Sequence, residues 1–97
     1  MRTLDFIDAV KRQQDISSDY ACAQVLGLTR AQLSRYRTGR DYFGDETAVK
    51  VADMLKMDAG YVMACIHAER SSNPDIRTRW KGVAERLKAA GLAAVMA

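Results

Sequence analysis

A single glycine, Gly27, separates two short amphipathic segments, and this arrangement constrains the fold more than any other feature of the chain. Apolar residues recur at helical spacing on both sides of it, with Ala23 before the glycine and Leu33 and Tyr36 after it. Glycine accepts the positive φ that a tight turn needs, and a residue as small as Ala23 lets two helices approach closely. The sequence therefore predicts two helices that meet at a fixed angle, centred on residues 19–38.

Helix start and stop signals elsewhere in the chain predict further helices. A serine, threonine, aspartate or asparagine precedes each apolar stripe, where a side chain can cap the first turn. Asn73 is the strongest of these signals, because Pro74 follows it at the first helical position. Counted from the residue that is predicted to cap each one, the helices run from Thr3 to about Gln14, from Ser17 or Ser18 to Gly27, from Thr29 to Thr38, from Asp45 to about Lys56, from Asp58 onward, and from Asn73 to Gly91. No segment alternates like a strand, so the predicted class is all-α.

The predicted helices group into two parts. Residues 1–70 form a domain of five helices, and residues 71–97 add a C-terminal helix and a short apolar tail. Residues 40–44 form a loop after the third helix, in which Tyr42 and Phe43 are expected to be exposed. A chain of 97 residues leaves no room for a separate catalytic or ligand-sensing domain.

Composition argues against several classes of protein. No long apolar run occurs, and Asp5 and Asp8 are unlike a secretory signal, so we expect a cytoplasmic protein that does not enter a membrane. Cys22 and Cys65 lie in apolar helical patterns typical of buried thiols, and His67 is the only histidine. Because the sequence shows neither a ligand cluster nor a nucleophile beside a base, we expect no metal, no cofactor, no small-molecule ligand and no enzymatic activity.

Charged residues are unevenly distributed along the chain. The segment 30–40 contains four arginines and no acidic residue, whereas the first nineteen residues contain four aspartates against three basic residues. A helix face that is merely solvated usually mixes charges of both signs. A basic cluster beside an acidic segment is typical of a surface that binds a polyanion in one orientation.

The stretch SDYACAQVLGLTRAQLSRYRTG resembles the helix-turn-helix of the lambda-repressor-like family, also called Cro/C1-type. The matching positions are Ala23, Gly27, Leu28, Thr29, Leu33, Ser34 and Gly39. The stretch VADMLKMDAGYVM resembles the fourth and fifth helices of that family, so the likeness covers residues 3–67. The segment YVMACIHAERS and the last helix further resemble small regulators of filamentous phages and prophages. The resemblance implies a five-helix lambda-repressor-like domain with an additional C-terminal helix.

The same resemblance implies a site for double-stranded DNA, with the third helix in the major groove. One set of residues would read base edges: Thr29, Arg30, Ala31, Gln32, Ser34 and Arg35. A second set would bind phosphate groups: Lys11, Arg12, Ser18, Arg37, Gly39 and Arg40. Asp19 departs from the family, because relatives often place a phosphate-binding polar residue there and a carboxylate repels phosphate.

A short reading helix covers few base pairs, so we expect the protein to bind DNA as a homodimer. The expected interface is the apolar stripe of the last helix, formed by Ile76, Trp80, Val83 and Leu87. One alternative is that Trp80 packs onto the core of its own chain. Another is that this helix contacts DNA through Arg77, Arg79 and Lys81.

Together these patterns predict a sequence-specific transcriptional regulator, in the first place a phage or prophage repressor that occupies a promoter. An excisionase-like or replication-control accessory factor is a second interpretation, since such proteins also bind DNA. A protein-binding module such as the antitoxin of a toxin pair is a third, and it would require a protein partner.

Overall fold

The computed structural model describes residues 1–91 and contains six α-helices, with no strand in that range. The helices are α1 (Thr3–Gln13), α2 (Asp19–Leu26), α3 (Arg30–Arg37), α4 (Asp45–Leu55), α5 (Ala59–Arg70) and α6 (Pro74–Ala89). The all-helical class predicted from the sequence is therefore confirmed. The apolar tail at residues 92–97 lies outside the described residues. Among the six helices described, none combines the length and the apolar character needed to cross a membrane.

Side chains cap four helices at the residues that the sequence predicts, which are Ser18, Thr29, Asp58 and Asn73. The other two predictions are wrong, because Thr3 and Asp45 are the first residues of their helices. The cap positions of α1 and α4 are instead Arg2 and Gly44. Thr3 is buried, and its backbone N–H and hydroxyl donate to the carboxylate of Glu69 at 2.8 and 2.7 Å. Its hydroxyl therefore joins the start of α1 to α5 instead of capping its own helix.

The core lies between α1, α4 and α5. Its largest fully buried side chains include Phe6, Ile7, Val10, Phe43, Val51, Leu55, Val62 and Ile66. Cys22 and Cys65 are both buried, as the sequence predicts. α1 packs against α2, α3 and α4, and α4 also packs against α2. The α2–α3 pair is therefore supported by both of these helices.

The loop between α3 and α4 closes one side of the core. Phe43 is fully buried and packs edge-on against Tyr36, with ring centroids 5.2 Å apart and an interplanar angle of 83°. Tyr42 beside it is half-buried. The predicted exposure of both aromatic residues is therefore wrong. A loop has no helical period that reveals where its side chains point, and burial of a large ring favours the inward position here.

α6 packs along α5, and this is the most extensive helix–helix contact in the described part of the chain. Three residues of the predicted interface stripe, Trp80, Val83 and Leu87, are partly buried against the core. The indole of Trp80 stacks on the imidazole of His67, with ring centroids 4.7 Å apart. Ile76, in the first turn of α6, is 42 % exposed. Most of the predicted dimer stripe thus faces its own chain, and Ile76 is its most accessible member.

Candidate nucleic-acid interface

The turn between α2 and α3 is built around Gly27. Gly27 has φ 70° and ψ 29°, in the left-handed region that the sequence predicts for it. The N–H of Leu28 donates to the carbonyl of the buried Ala23 at 2.8 Å. From α4, the ammonium of Lys50 donates to the carbonyl of Leu26 at 3.4 Å. These hydrogen bonds pair carbonyl groups at the end of α2 and fix the backbone of the turn that leads into α3.

The first turn of α3 is held by a reciprocal pair of hydrogen bonds. The hydroxyl of Thr29 accepts from the N–H of Gln32 at 3.0 Å, and the side-chain oxygen of Gln32 accepts from the N–H of Thr29 at 2.8 Å. Two of the predicted base-reading side chains therefore also build the start of the helix. The pair does not use the methyl group of Thr29 or the amide nitrogen of Gln32, and these groups can still contact a ligand.

One side of α3 presents an exposed surface. Its members are Arg30, Ala31, Ser34 and Arg35. Their spacing places them on one side of a helix, whereas Leu33 and Tyr36 are buried. The structure thus brings four of the six predicted base-reading residues together on the outward face of α3.

The two arginines of this face have different neighbours. The guanidinium of Arg30 lies over the ring of Tyr20, 4.9 Å from the ring centroid. Tyr20 is 51 % exposed. Sequence analysis missed it, although an aromatic residue off the apolar stripe of α2 was an available signal. The Nε of Arg35 lies 3.7 Å from the carboxylate of Asp41, and both side chains are about half exposed, so water weakens this pair.

Arg37, at the end of α3, belongs to a network of ion pairs with α1 and α2. Its Nε and Nη2 each donate to the carboxylate of Asp19 at 2.9 Å, and Nη2 also donates to Asp8 at 3.0 Å. Lys11 donates to the carboxylate of Asp19 at 2.9 Å. The hydrogen bonds from Arg37 and Lys11 lower the pKa of Asp19 to about 2, and the hydrogen bond with Asp19 raises the pKa of Arg37.

This network gives two of the predicted phosphate-binding residues partners within the chain. The positive charges of Lys11 and Arg37 are matched by the carboxylates of Asp8 and Asp19. The network also accounts for the departure from the family pattern at Asp19, whose carboxylate binds Arg37. A phosphate role for Lys11 or Arg37 stays a prediction, and it would require this network to open.

The other predicted phosphate-binding residues lie at the ends of helices. The hydroxyl of Ser18 accepts a backbone N–H of α2 at 3.1 Å, and the N–H of Gly39 donates to a carbonyl of α3 at 3.2 Å. Both groups are therefore engaged within the chain. Arg12 lies in the last turn of α1, Arg40 follows α3, and both are exposed. These two arginines are the exposed cations of the predicted set.

Two cavities differ in their relation to α3. A shallow cavity of about 270 Å³ lies between α2 and α3, and its lining residues are Asp19, Tyr20, Arg30, Leu33, Ser34 and Arg37. A larger cavity of about 500 Å³ lies between the start of the chain, α5 and α6, and its charged lining mixes both signs. Over residues 1–91, no three His, Cys, Asp or Glu side chains are grouped as a metal site. The shallow cavity adjoins the exposed face of α3 and extends it toward α2.

Comparison with known proteins shows which family the chain belongs to. Residues 63–97 match the family DUF3693, which is described as "Phage related protein". Over 83 residues, the chain is 31% identical to "Uncharacterized protein Gp-c" of Pseudoalteromonas phage PM2, in an alignment that covers 81% of this chain and 90% of Gp-c. The chain belongs to the Gp-c family. No solved structure matches it.

Both similarities connect the Gp-c family with phages. The chain is a small phage-associated protein, and the association with phages predicted from its last two helices is confirmed. The match to the phage-related family covers part of α5 and all of α6, and it does not include the α2–α3 pair. Membership of the lambda-repressor-like family stays a prediction.

Proposed function

We propose that this member of the Gp-c family is a sequence-specific regulator that binds double-stranded DNA with α3 as its reading helix. The observation that carries the proposal is the exposed face of α3, which presents Arg30, Ala31, Ser34 and Arg35. α3 contains no acidic residue, so nothing on the helix itself repels the phosphates that border a groove. A helix of this width fits the major groove of B-DNA.

We infer that α2 and α3 form a helix-turn-helix and that α1 to α5 form a five-helix lambda-repressor-like domain. Base reading requires side chains held within about 0.5 Å of their productive positions, which needs a rigid support. The hydrogen bonds around Gly27 and the ion pairs of Arg37 are such a support, because they join α3 to α1 and α2.

The side chains of the exposed face suit particular base edges. In this proposal Arg30 and Arg35 each donate two hydrogen bonds to the O6 and N7 atoms of a guanine. Ala31 and the methyl of Thr29 contact thymine methyl groups, and Ser34 makes a secondary hydrogen bond. Arg12 and Arg40 bind phosphates beside the major groove. These contacts set the register of the protein on the DNA without reading its sequence.

The association with phages favours a regulator of phage or prophage genes that represses by occupying a promoter as a homodimer. Footprinting on phage DNA tests this part of the proposal. Protection over a promoter supports a repressor, whereas protection over an attachment site or a replication origin supports an accessory factor. Co-purification of a toxin with the protein, without any footprint, would contradict both and support an antitoxin.

The experiment that tests DNA reading is selection of bound fragments from a random duplex library by the purified full chain. We expect enrichment of a palindromic motif with at least one G·C pair in each half-site, because arginine prefers guanine. A library that stays random after selection would contradict the proposal.

The role of α3 is tested on the selected site with Arg35→Ala. Loss of one good bidentate contact reduces discrimination against the wrong base by about 1–3 kcal/mol. Arg70→Ala is the matched control, because Arg70 is an exposed arginine at the end of α5 that belongs to neither of the predicted DNA-binding sets. Equal weakening of selected and random DNA by Arg35→Ala would show a phosphate contact instead of base reading.

A further inference from the structure

We propose that Tyr20 is a positioning residue for Arg30, whose guanidinium it holds over its ring so that the N–H groups remain available to a guanine. This inference rests on the proposed function, because it assigns a part in DNA reading to a residue of α2. It adds a specificity-determining residue that lies outside the reading helix.

The contact joins the two helices on their exposed side. The guanidinium carbon of Arg30 lies 4.9 Å from the centroid of the Tyr20 ring. The amide nitrogen of Gln24, one helical turn further along α2, donates to the hydroxyl of Tyr20 at 3.2 Å. The ring is thus held from its own helix while its face supports Arg30. Tyr20 and Arg30 both line the shallow cavity between α2 and α3.

An aromatic partner leaves all the N–H donors of an arginine free, whereas a carboxylate that accepts hydrogen bonds from them occupies some of these donors. A cation above a ring interacts with the π face and needs no N–H donor. The contact with the ring face therefore leaves the N–H groups of Arg30 for the O6 and N7 atoms of guanine. Arg37 shows the other arrangement in the same helix, because Asp19 and Asp8 engage its donors.

Tyr20 is not a core residue, since half of its side chain is exposed to water. An aromatic ring that serves only the core is normally buried, and Tyr20 is 51 % exposed. The ring limits the freedom of a long side chain before DNA arrives. Binding then loses less conformational entropy at Arg30 than it would for an unsupported arginine.

The test compares Tyr20→Leu, which removes the ring, with Tyr20→Phe, which keeps the ring and removes the hydroxyl. Dissociation constants are measured by fluorescence anisotropy on the selected site and on the same site with the G·C pair read by Arg30 changed to A·T. The pair is identified as the one at which Arg30→Ala loses discrimination. Thermal unfolding of each variant is followed by circular dichroism, and Tyr20→Gln replaces Tyr20→Leu where the leucine variant does not fold.

We expect Tyr20→Leu to weaken binding to the G·C site by roughly threefold to tenfold, with little change on the A·T site. Tyr20→Phe keeps the ring face and loses only the hydrogen bond from Gln24, so we expect a smaller loss on the G·C site than in Tyr20→Leu. Adding Tyr20→Leu to Arg30→Ala causes no further loss, because the ring acts only through the arginine.

Other outcomes overturn the inference. Equal weakening on both sites, or a loss in Tyr20→Phe as large as in Tyr20→Leu, would make Tyr20 a phosphate contact through its hydroxyl. Unchanged discrimination in Tyr20→Leu, with selective binding by the wild-type chain, would overturn the role of Tyr20 and leave the proposed function intact. A wild-type chain that selects no DNA sequence would overturn both, and this is seen before any variant is compared.

Discussion

The guanidinium of Arg37 makes two hydrogen bonds to the carboxylate of Asp19, each 2.9 Å long. The two residues belong to α3 and α2, and the same guanidinium reaches Asp8 of α1 at 3.0 Å. Lys11 adds a second cation to Asp19. Two cations and two carboxylates therefore form a neutral network that joins the three helices. Its physical effect is to anchor the end of α3, and the exposed part of that helix depends on this anchor.

The first prediction concerns acid stability. Asp19 has its pKa lowered to about 2 by hydrogen bonds from Arg37 and Lys11. Its stabilising contribution is complete above the ordinary aspartate pKa of about 4 and is lost as the pH falls from there through the folded value. The side chain is 42 % exposed, and solvent screening limits the contribution to about 1 kcal/mol. Urea unfolding at several pH values between 7 and 2 measures it.

The variants for this measurement are Asp19→Asn and, as a control, Asp53→Asn. We expect Asp19→Asn to be less stable at pH 7 and to lose less stability between pH 4 and 2 than the wild-type chain. Asp53 is an exposed aspartate of α4. A parallel loss of stability with acid in wild type and Asp19→Asn would contradict the role of Asp19.

The second prediction separates anchoring from DNA contact. Arg37→Ala leaves Asp8 and Asp19 without their guanidinium, so we expect it to lower the free energy of unfolding by about 1–2 kcal/mol. Arg40→Ala removes an exposed side chain, so we expect it to weaken DNA binding and leave stability unchanged. Chemical unfolding and anisotropy on random duplex DNA measure the two effects. An Arg37→Ala protein of wild-type stability would contradict the anchoring role of Arg37 and support a phosphate contact instead.

Local signals in the sequence predicted much of the α2–α3 site. Ser18, Gly27 and Thr29 act on the backbone of their own neighbours, and each occupies in the structure the cap or turn position that its pattern indicates. The partners of Arg37 were not predictable in this way. Asp19 and Asp8 lie 18 and 29 positions away from it, and only the packing of α1, α2 and α3 brings them together.

The loop residues and the packing partner of α6 were harder to predict from the sequence. Phe43 was expected to be exposed because it lies in a short polar loop, and the structure buries it against Tyr36. The apolar stripe of α6 is predicted as a dimer interface, with packing of Trp80 onto its own core as the alternative, because a helical pattern does not say which surface the stripe meets. In the structure much of that stripe meets α5 and its own core.

A third prediction uses two glycines whose replacement by alanine has opposite effects. Gly27 has φ 70°, so Gly27→Ala strains the turn and lowers the free energy of unfolding by about 1 kcal/mol. Gly82 lies within α6, and the nearest atom to an added Cβ is the end of the flexible Arg86 side chain, 3.4 Å away. We expect Gly82→Ala to stabilise the chain by about 0.5–1 kcal/mol. Thermal unfolding checks both, and a Gly27→Ala protein as stable as the wild type would contradict the turn geometry.

A fourth prediction concerns the two contacts expected of α6, which are packing onto its own core and dimerisation. Trp80 is partly buried and stacks on His67, so Trp80→Ala lowers the free energy of unfolding by about 2 kcal/mol without changing the oligomeric state. Ile76 is the exposed member of the same stripe, so Ile76→Glu weakens dimerisation and leaves stability close to wild type. Sedimentation velocity and urea unfolding distinguish these results. A stable but monomeric Trp80→Ala protein would show that Trp80 lies in the dimer interface.

The last prediction is the salt dependence of DNA binding, because it counts the cations that meet phosphates. With Lys11 and Arg37 neutralised inside the chain, Arg12 and Arg40 remain in each subunit, and a dimer neutralises about four phosphates. The expected slope of log affinity against log salt is then roughly −4, whereas inclusion of Lys11 and Arg37 would give roughly −7. Anisotropy titrations between 50 and 200 mM salt, a range of about fourfold, measure the slope. A slope near the steeper of these two values would mean that DNA opens the Asp19 network. In that case the Asp19→Asn variant would show the same slope as the wild-type chain.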